Sequence, residues 1–104
     1  MEVGYYHRNV EDFLESLTKV TRARVDRTIK LLSEKAYQLK MPDSKKLERN
    51  LYELRIRSLQ SIRIFYTFYN NQIVLLHAID KKSQKLSQKD LSTARQRLSF
   101  LHPQ

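Results

Sequence analysis

Residues 51–85, LYELRIRSLQSIRIFYTFYNNQIVLLHAIDKKSQK, contain three runs of strand-forming residues separated by two short breaks. In the first run Tyr52, Leu54 and Ile56 alternate with Glu53, Arg55 and Arg57. In the second, Ile62, Ile64, Tyr66 and Phe68 alternate with Arg63, Phe65, Thr67 and Tyr69. A period of two puts alternate side chains on opposite faces of a sheet, so each run reads as a strand with one buried and one mixed face. Asn70-Asn71 reads as a two-residue hairpin turn, because asparagine tolerates the positive φ such turns require. The third run, residues 73–79, is apolar on both faces and should be central or covered on both sides.

Register follows from the same pattern. The sets Tyr52/Leu54/Ile56 and Ile62/Ile64/Tyr66 must share a face, so the numbers of opposed residues sum to an even value. A three-residue loop at 59–61 meets that condition and sets Arg57 opposite Arg63 and Arg55 opposite Phe65. Two arginines facing each other across a ladder repel, and are tolerated where something anionic comes between them.

Outside this stretch the pattern turns helical. Residues 3–6 read as a short opening strand. Asn9 is expected to cap a helix with Glu11 and Asp12 in its first turn and with Val10, Phe13, Leu14, Leu17 and Val20 on one stripe. A second stripe follows at Val25, Ile29, Leu32, Ala36 and Leu39, ended by Met41-Pro42. Lys45, Lys46 and Arg49 are read as part of the connection to the first strand run. Ser87, with Asp90 three residues on, is a variant of the capping box, opening a last helix with Leu91, Ala94, Leu98 and Leu101 on its apolar stripe.

Charge is uneven along the chain. With 20 Lys and Arg against 11 Asp and Glu in 104 residues the net charge is +9. Residues 1–52 contribute +3 and residues 53–104 contribute +6. Between Leu54 and Lys89 the charged residues are Arg55, Arg57, Arg63, Asp80, Lys81, Lys82 and Lys85, a surface suited to a polyanion. Arginine presents a planar, permanently charged fork to phosphate.

Other chemistries are poorly served. There is no cysteine for disulfides or thiolate metal sites, and the single glycine, Gly4, excludes a glycine-rich phosphate loop. His7, His77 and His102 are far apart and lack carboxylates at ligand spacing, so no metal site is expected. His77 is read as a packed histidine on the Ile73/Leu75/Ile79 face. Tyr52, Tyr66 and Phe68 are read as core, while Phe65 and Tyr69 share the arginine face and stay open as base-stacking candidates. The N-terminal residues lack the pattern of an export signal and no apolar run could span a bilayer, so a cytoplasmic protein without membrane contact is expected.

LYELR at 51–55, RIFY at 63–66, IVLLHAIDKKSQK at 73–85 and a closing helix with Ala94 and Arg97 together resemble the phage-derived Gp49-like, HigB-type branch of the RelE/ParE toxin superfamily. The resemblance covers essentially the whole chain and implies one RelE-like α+β domain over residues 1–104. Its small, twisted, antiparallel-rich sheet would be packed with two N-terminal helices and a C-terminal helix. It also implies the toxin of a type II toxin–antitoxin pair, a ribosome-dependent mRNA endoribonuclease that needs neither metal nor cofactor. Its partners would be a cognate antitoxin, the ribosome and mRNA. In such enzymes the 2′-hydroxyl attacks its own adjacent phosphate. Matched position by position, Arg55 and Arg63 fall at the scissile phosphate, and Lys82 or Lys85 at proton transfer. Arg57, Lys81, Lys45 and Lys46 fall on the RNA backbone. In the basic segment Ser83 stands where the family has threonine, and Leu86-Ser87 where it has Thr-Pro. Two other functions use the same fold: a ParE-like, non-catalytic inhibitor of DNA gyrase, and an RNA-binding relative without activity.

Overall fold

The alternating runs do form a sheet. In the computed structural model, which describes residues 1–82 and 85–103, they are β3 (Leu51–Arg57), β4 (Ser61–Tyr69) and β5 (Gln72–Asp80). Ser83 and Gln84 of the basic segment lie outside the described residues. The hairpin between β4 and β5 turns on Asn70 and Asn71, with φ of 50° and 59°. Those left-handed angles match the right-handed twist of the flanking strands.

Two further strands complete the sheet among the described residues. β1 (Val3–Tyr5) pairs in parallel with β5, and β2 (Ser44–Glu48) pairs antiparallel with β3, giving the order β1-β5-β4-β3-β2. β2 corrects the expectation of a plain connection at Lys45 and Lys46. Its pattern is hard to see because a bulge between Lys46 and Glu48 breaks the alternation, and because its inward Ser44 hydroxyl is satisfied by a hydrogen bond to the buried Tyr66 hydroxyl.

Three α-helices pack on this sheet among the described residues: α1 (Arg8–Glu15), α2 (Lys19–Lys35) and α3 (Gln88–Leu101). His7, not Asn9, caps α1, its Nδ1 accepting the Asn9 N–H at 3.0 Å. The expected stripe to Val20 stops early. The Ser16 hydroxyl donates to the Phe13 carbonyl at 2.6 Å and closes α1, leaving Val20 in the first turn of α2 and 59% exposed. α2 likewise ends before Ala36, whose φ of 48° starts a single 3-10 turn that brings Leu39 back onto the core. At α3 the Ser87 hydroxyl accepts the Asp90 N–H at 3.1 Å, as the capping pattern requires.

Each sheet face has its own core. Val10 and Leu14 of α1 and Val25 and Leu32 of α2 pack on Leu54, Ile56, Ile62, Ile64, Tyr66, Ile73, Leu75 and Ala78. On the other face, Ala94 of α3 packs with Leu51, Phe65 and Leu76, flanked by Leu91, Leu98 and Leu101. Full burial of a side chain of this size contributes about 1.5–3 kcal/mol. β5 feeds both cores, as its apolar run requires. The α+β arrangement matches the RelE-like description.

Candidate functional site

Helix α3 covers only part of its sheet face, over Leu51, Phe65 and Leu76. Further along the same strands the face carries charge. The register is two residues from the expected one: Arg55 lies opposite Arg63, and Arg57 opposite Ser61. Parity is kept, so every side chain is on its expected face, but the loop is Ser58, Leu59 and Gln60. A Lys81 N–H to Ser61 carbonyl bond of 2.7 Å prolongs the ladder and brings Lys81 beside Ser61. Arg55, Arg57, Arg63, Lys81 and Lys82, with Ser58 and Ser61, line an open cleft of about 540 Å³.

The opposed arginines are held by a neighbour. Glu53, only 4% exposed, is on the same face as Arg55 two residues along β3 and diagonal to Arg63 across the ladder. Its carboxylate oxygens lie 3.7 Å from Arg55 Nε and 3.8 Å from Arg63 Nε. These are ion-pair distances, too long for hydrogen bonds, and both Nε atoms are buried without a hydrogen-bond partner. Glu53 thus offsets the repulsion of two guanidinium groups without occupying their donors. Arg63 Nη1 donates to Ser61 Oγ and to the Ile62 carbonyl, each at 3.2 Å, which aims the group along the strand. Burial, with Arg55 and Arg57 nearby, pulls the Arg63 pKa below its ordinary value, and Glu53 opposes that shift. A guanidinium remains charged all the same. The cleft therefore presents fixed positive charge on rigid strands, the arrangement that stabilises an anion or developing negative charge.

The remaining predicted residues are elsewhere. Lys85 is exposed in the segment before α3 and is not among the described residues that line the cleft. Lys45 pairs with Glu53 across β2 and β3 and so shares the arginine face at the sheet's edge. Lys46 is on the opposite face, its Nζ 5.9 Å from the centre of the Tyr52 ring.

Neither open aromatic is a stacking platform. Phe65 is fully buried under α3, and Tyr69 packs edge-on against His102. His77 changes face. A bulge opposite Phe65/Tyr66 resets the alternation of β5, so His77 stacks beside Phe65 and reaches Asp90 of α3, Nε2 to Oδ1 being 2.9 Å. Burial raises the Asp90 pKa, but hydrogen bonds from Ser87 and His77 and the nearby His77 and Lys89 outweigh it and leave the value lowered. Arg97 donates to the Leu76 carbonyl at 2.6 Å and lies over the Tyr6 ring, a structural role.

Glu53 is the site residue that sequence reasoning missed. Its signal was present as Glu-x-Arg on one strand face, but its tie to Arg63 needed the register. Among the described residues no cluster of three or more His, Asp or Glu could hold a metal ion, and no helix is long and apolar enough to cross a membrane.

Fold and cleft together define a small α+β protein with a cluster of strand-borne cations at the uncovered end of one sheet face. By its match to that family's model over residues 12–99, the chain belongs to the phage derived Gp49-like proteins (DUF891). That family is associated with toxin–antitoxin systems. No curated protein matches the chain.

Proposed function

We propose that this protein is a HigB-type toxin, an endoribonuclease that cuts mRNA on the ribosome and is neutralised by a cognate antitoxin. The observation that carries the reading is the convergence of Arg55, Arg57, Arg63, Lys81 and Lys82 on one open cleft. A phosphodiester in that cleft meets Arg55 and Arg63 from adjacent strands. The cleft-facing ends of their guanidinium groups meet the non-bridging oxygens, and the charge that builds on those oxygens during attack is stabilised in place.

The chemistry is an internal transfer. The 2′-oxygen bonds to phosphorus, the bond from phosphorus to the 5′-oxygen breaks, and a 2′,3′-cyclic phosphate and a 5′-hydroxyl result. One basic group takes the 2′-hydroxyl proton and one acidic group supplies a proton to the leaving 5′-oxygen. Lys82, exposed at the mouth of the cleft, is the nearer of the two proton-transfer candidates, and Lys85 is the other. Arg57 and Lys81 hold the flanking backbone, and Lys45 and Lys46 contact RNA outside the cleft. An antitoxin that inhibits by covering the cleft would present carboxylates there.

The test is growth and mRNA 5′-end mapping in cells induced for the wild type and for Arg55→Ala/Arg63→Ala. Growth arrest with new ends inside translated codons, both lost in the double variant, is the expected result. Arrest without new ends, persisting in the double variant, would sink the reading and bring a ParE-like action on gyrase to the front.

A further inference from the structure

Arg55 has a second side. Its Nη1 contacts Met41 Sδ at 3.5 Å, and beyond it a smaller cleft of about 320 Å³ opens between the sheet and α2. Arg55 and Arg57 line both clefts. The second is completed by Arg24 of α2, by Met41 and Pro42, and by Asp43.

We infer that this second cleft is a base-binding subsite for the nucleotide adjoining the reacting phosphate, with Asp43 reading the edge of the base. The inference rests on the ribonuclease reading above and deepens it.

The two clefts differ in chemistry. The first is lined by cations and serines alone, whereas the second adds an apolar platform and a carboxylate. Met41 is 56% exposed, and Pro42 beside it is exposed as well. A polarizable thioether and a proline ring are apolar contacts of the kind a nucleobase covers. Asp43 is fixed at its main chain. Its N–H donates to the Lys40 carbonyl at 3.1 Å, and its carbonyl accepts the Arg55 N–H at 2.8 Å. Among the described residues its carboxylate forms no ion pair.

A carboxylate only accepts hydrogen bonds, so Asp43 favours bases that bear an exocyclic amino group over uracil, whose one N3–H is flanked by two carbonyls that repel the carboxylate. Arg24, exposed on α2, then meets the next phosphate along the strand. The shared wall makes the geometry continuous. One guanidinium, Arg55, touches the reacting phosphate on one side and borders the neighbouring base on the other.

The experiment maps cut positions in a translating extract given purified protein, comparing the wild type with Asp43→Asn, Met41→Ala and Arg24→Ala, each checked for its melting temperature. In the wild type, the base on one side of the cut should be depleted in uracil. Asp43→Asn should reduce that bias about tenfold, the factor carried by one hydrogen bond to a charged group. Met41→Ala, a change at an exposed side chain, should weaken cleavage and flatten the bias together. Arg24→Ala should lower cleavage several-fold with the bias kept. Cutting that continues with the same base distribution in Asp43→Asn and Met41→Ala overturns the subsite and leaves the nuclease standing. A wild type that makes no cuts removes the nuclease reading, and the subsite falls with it.

Discussion

One face of one sheet holds two different environments, built from the same two strands. Under α3, β3 and β4 supply Leu51 and Phe65, packed with Leu76 and Ala94 and fully buried. Two to four residues along, they supply Glu53, Arg55 and Arg63, two of them nearly as buried but charged. The covered half is stabilised by the removal of apolar surface. The uncovered half is held by a carboxylate standing between two guanidinium groups, and keeps two buried N–H donors unused. A buried donor without a partner costs on the order of 1–3 kcal/mol. Such a cost is typical where a surface is kept ready for a ligand. Under the proposed function, the comparison separates where the molecule is stabilised from where it would act.

That separation can be tested most sharply with lysine. Arg55→Lys/Arg63→Lys keeps the charge facing Glu53 but removes both forks, so cleavage should fall by at least about 100-fold. The melting temperature should move little, whereas alanine at both positions would leave Glu53 without its partners. A large drop in melting temperature in the lysine variant would mean that the cationic half also carries the fold.

Phe65→Ala strikes the covered half. The loss should be about 3–5 kcal/mol in urea unfolding, the usual cost of emptying a fully buried aromatic site. A loss under about 1 kcal/mol would show that α3 is loosely seated.

Glu53→Gln lies at the border. Removing its charge leaves Arg55 and Arg63 opposed and should cost about 3 kcal/mol, the lower end of the loss on breaking a buried ion pair. Added inorganic phosphate or sulfate should restore stability in this variant more than in the wild type, because an anion then replaces the carboxylate. Equal responses in both proteins would contradict the counter-charge role of Glu53.

The smallest effect concerns the end of α3. The Asp90 pKa is lowered in the folded protein, so the hydrogen bonds its carboxylate accepts from Ser87 and His77 contribute fully above the ordinary carboxylate pKa. That contribution is lost as pH falls through the lowered folded value. Asp90→Asn should therefore cost less than about 1 kcal/mol at neutral pH, and its difference from the wild type should shrink on acidification. A difference that stays constant from neutral to strongly acidic pH would rule the linkage out.

The sheet's centre was legible because three strands obey a period of two and meet at Asn70-Asn71. α3 was legible because its cap and stripe agree. Parity fixes faces but not loop length, so the pairing of Arg55 with Arg63 was missed by two residues. β2 escaped because its lysines belong to an exposed edge, where charge discourages further strand pairing and leaves no apolar pattern. Alternation alone puts His77 on the Ile73/Leu75 face, and the bulge that moves it is a backbone event with no residue signature here. The cationic residues were visible in the sequence, but which of them share a cleft depends on register and on where α3 stops.

The parallel pairing of β1 with β5 has a consequence for the order of folding. Val3 meets Ile73, and the intervening chain must be made and gathered before that edge can close. β3, β4 and β5 are joined by short hairpins, and they bear every residue lining the arginine cleft except those in its loops. Local pairings form early and distant ones late. In pulse-labelled hydrogen exchange during refolding, amides of β4 should gain protection before those of β1, so that the cationic cleft takes shape while the sheet is still open at one side. Simultaneous protection of both strands would mean instead that the sheet closes in a single step.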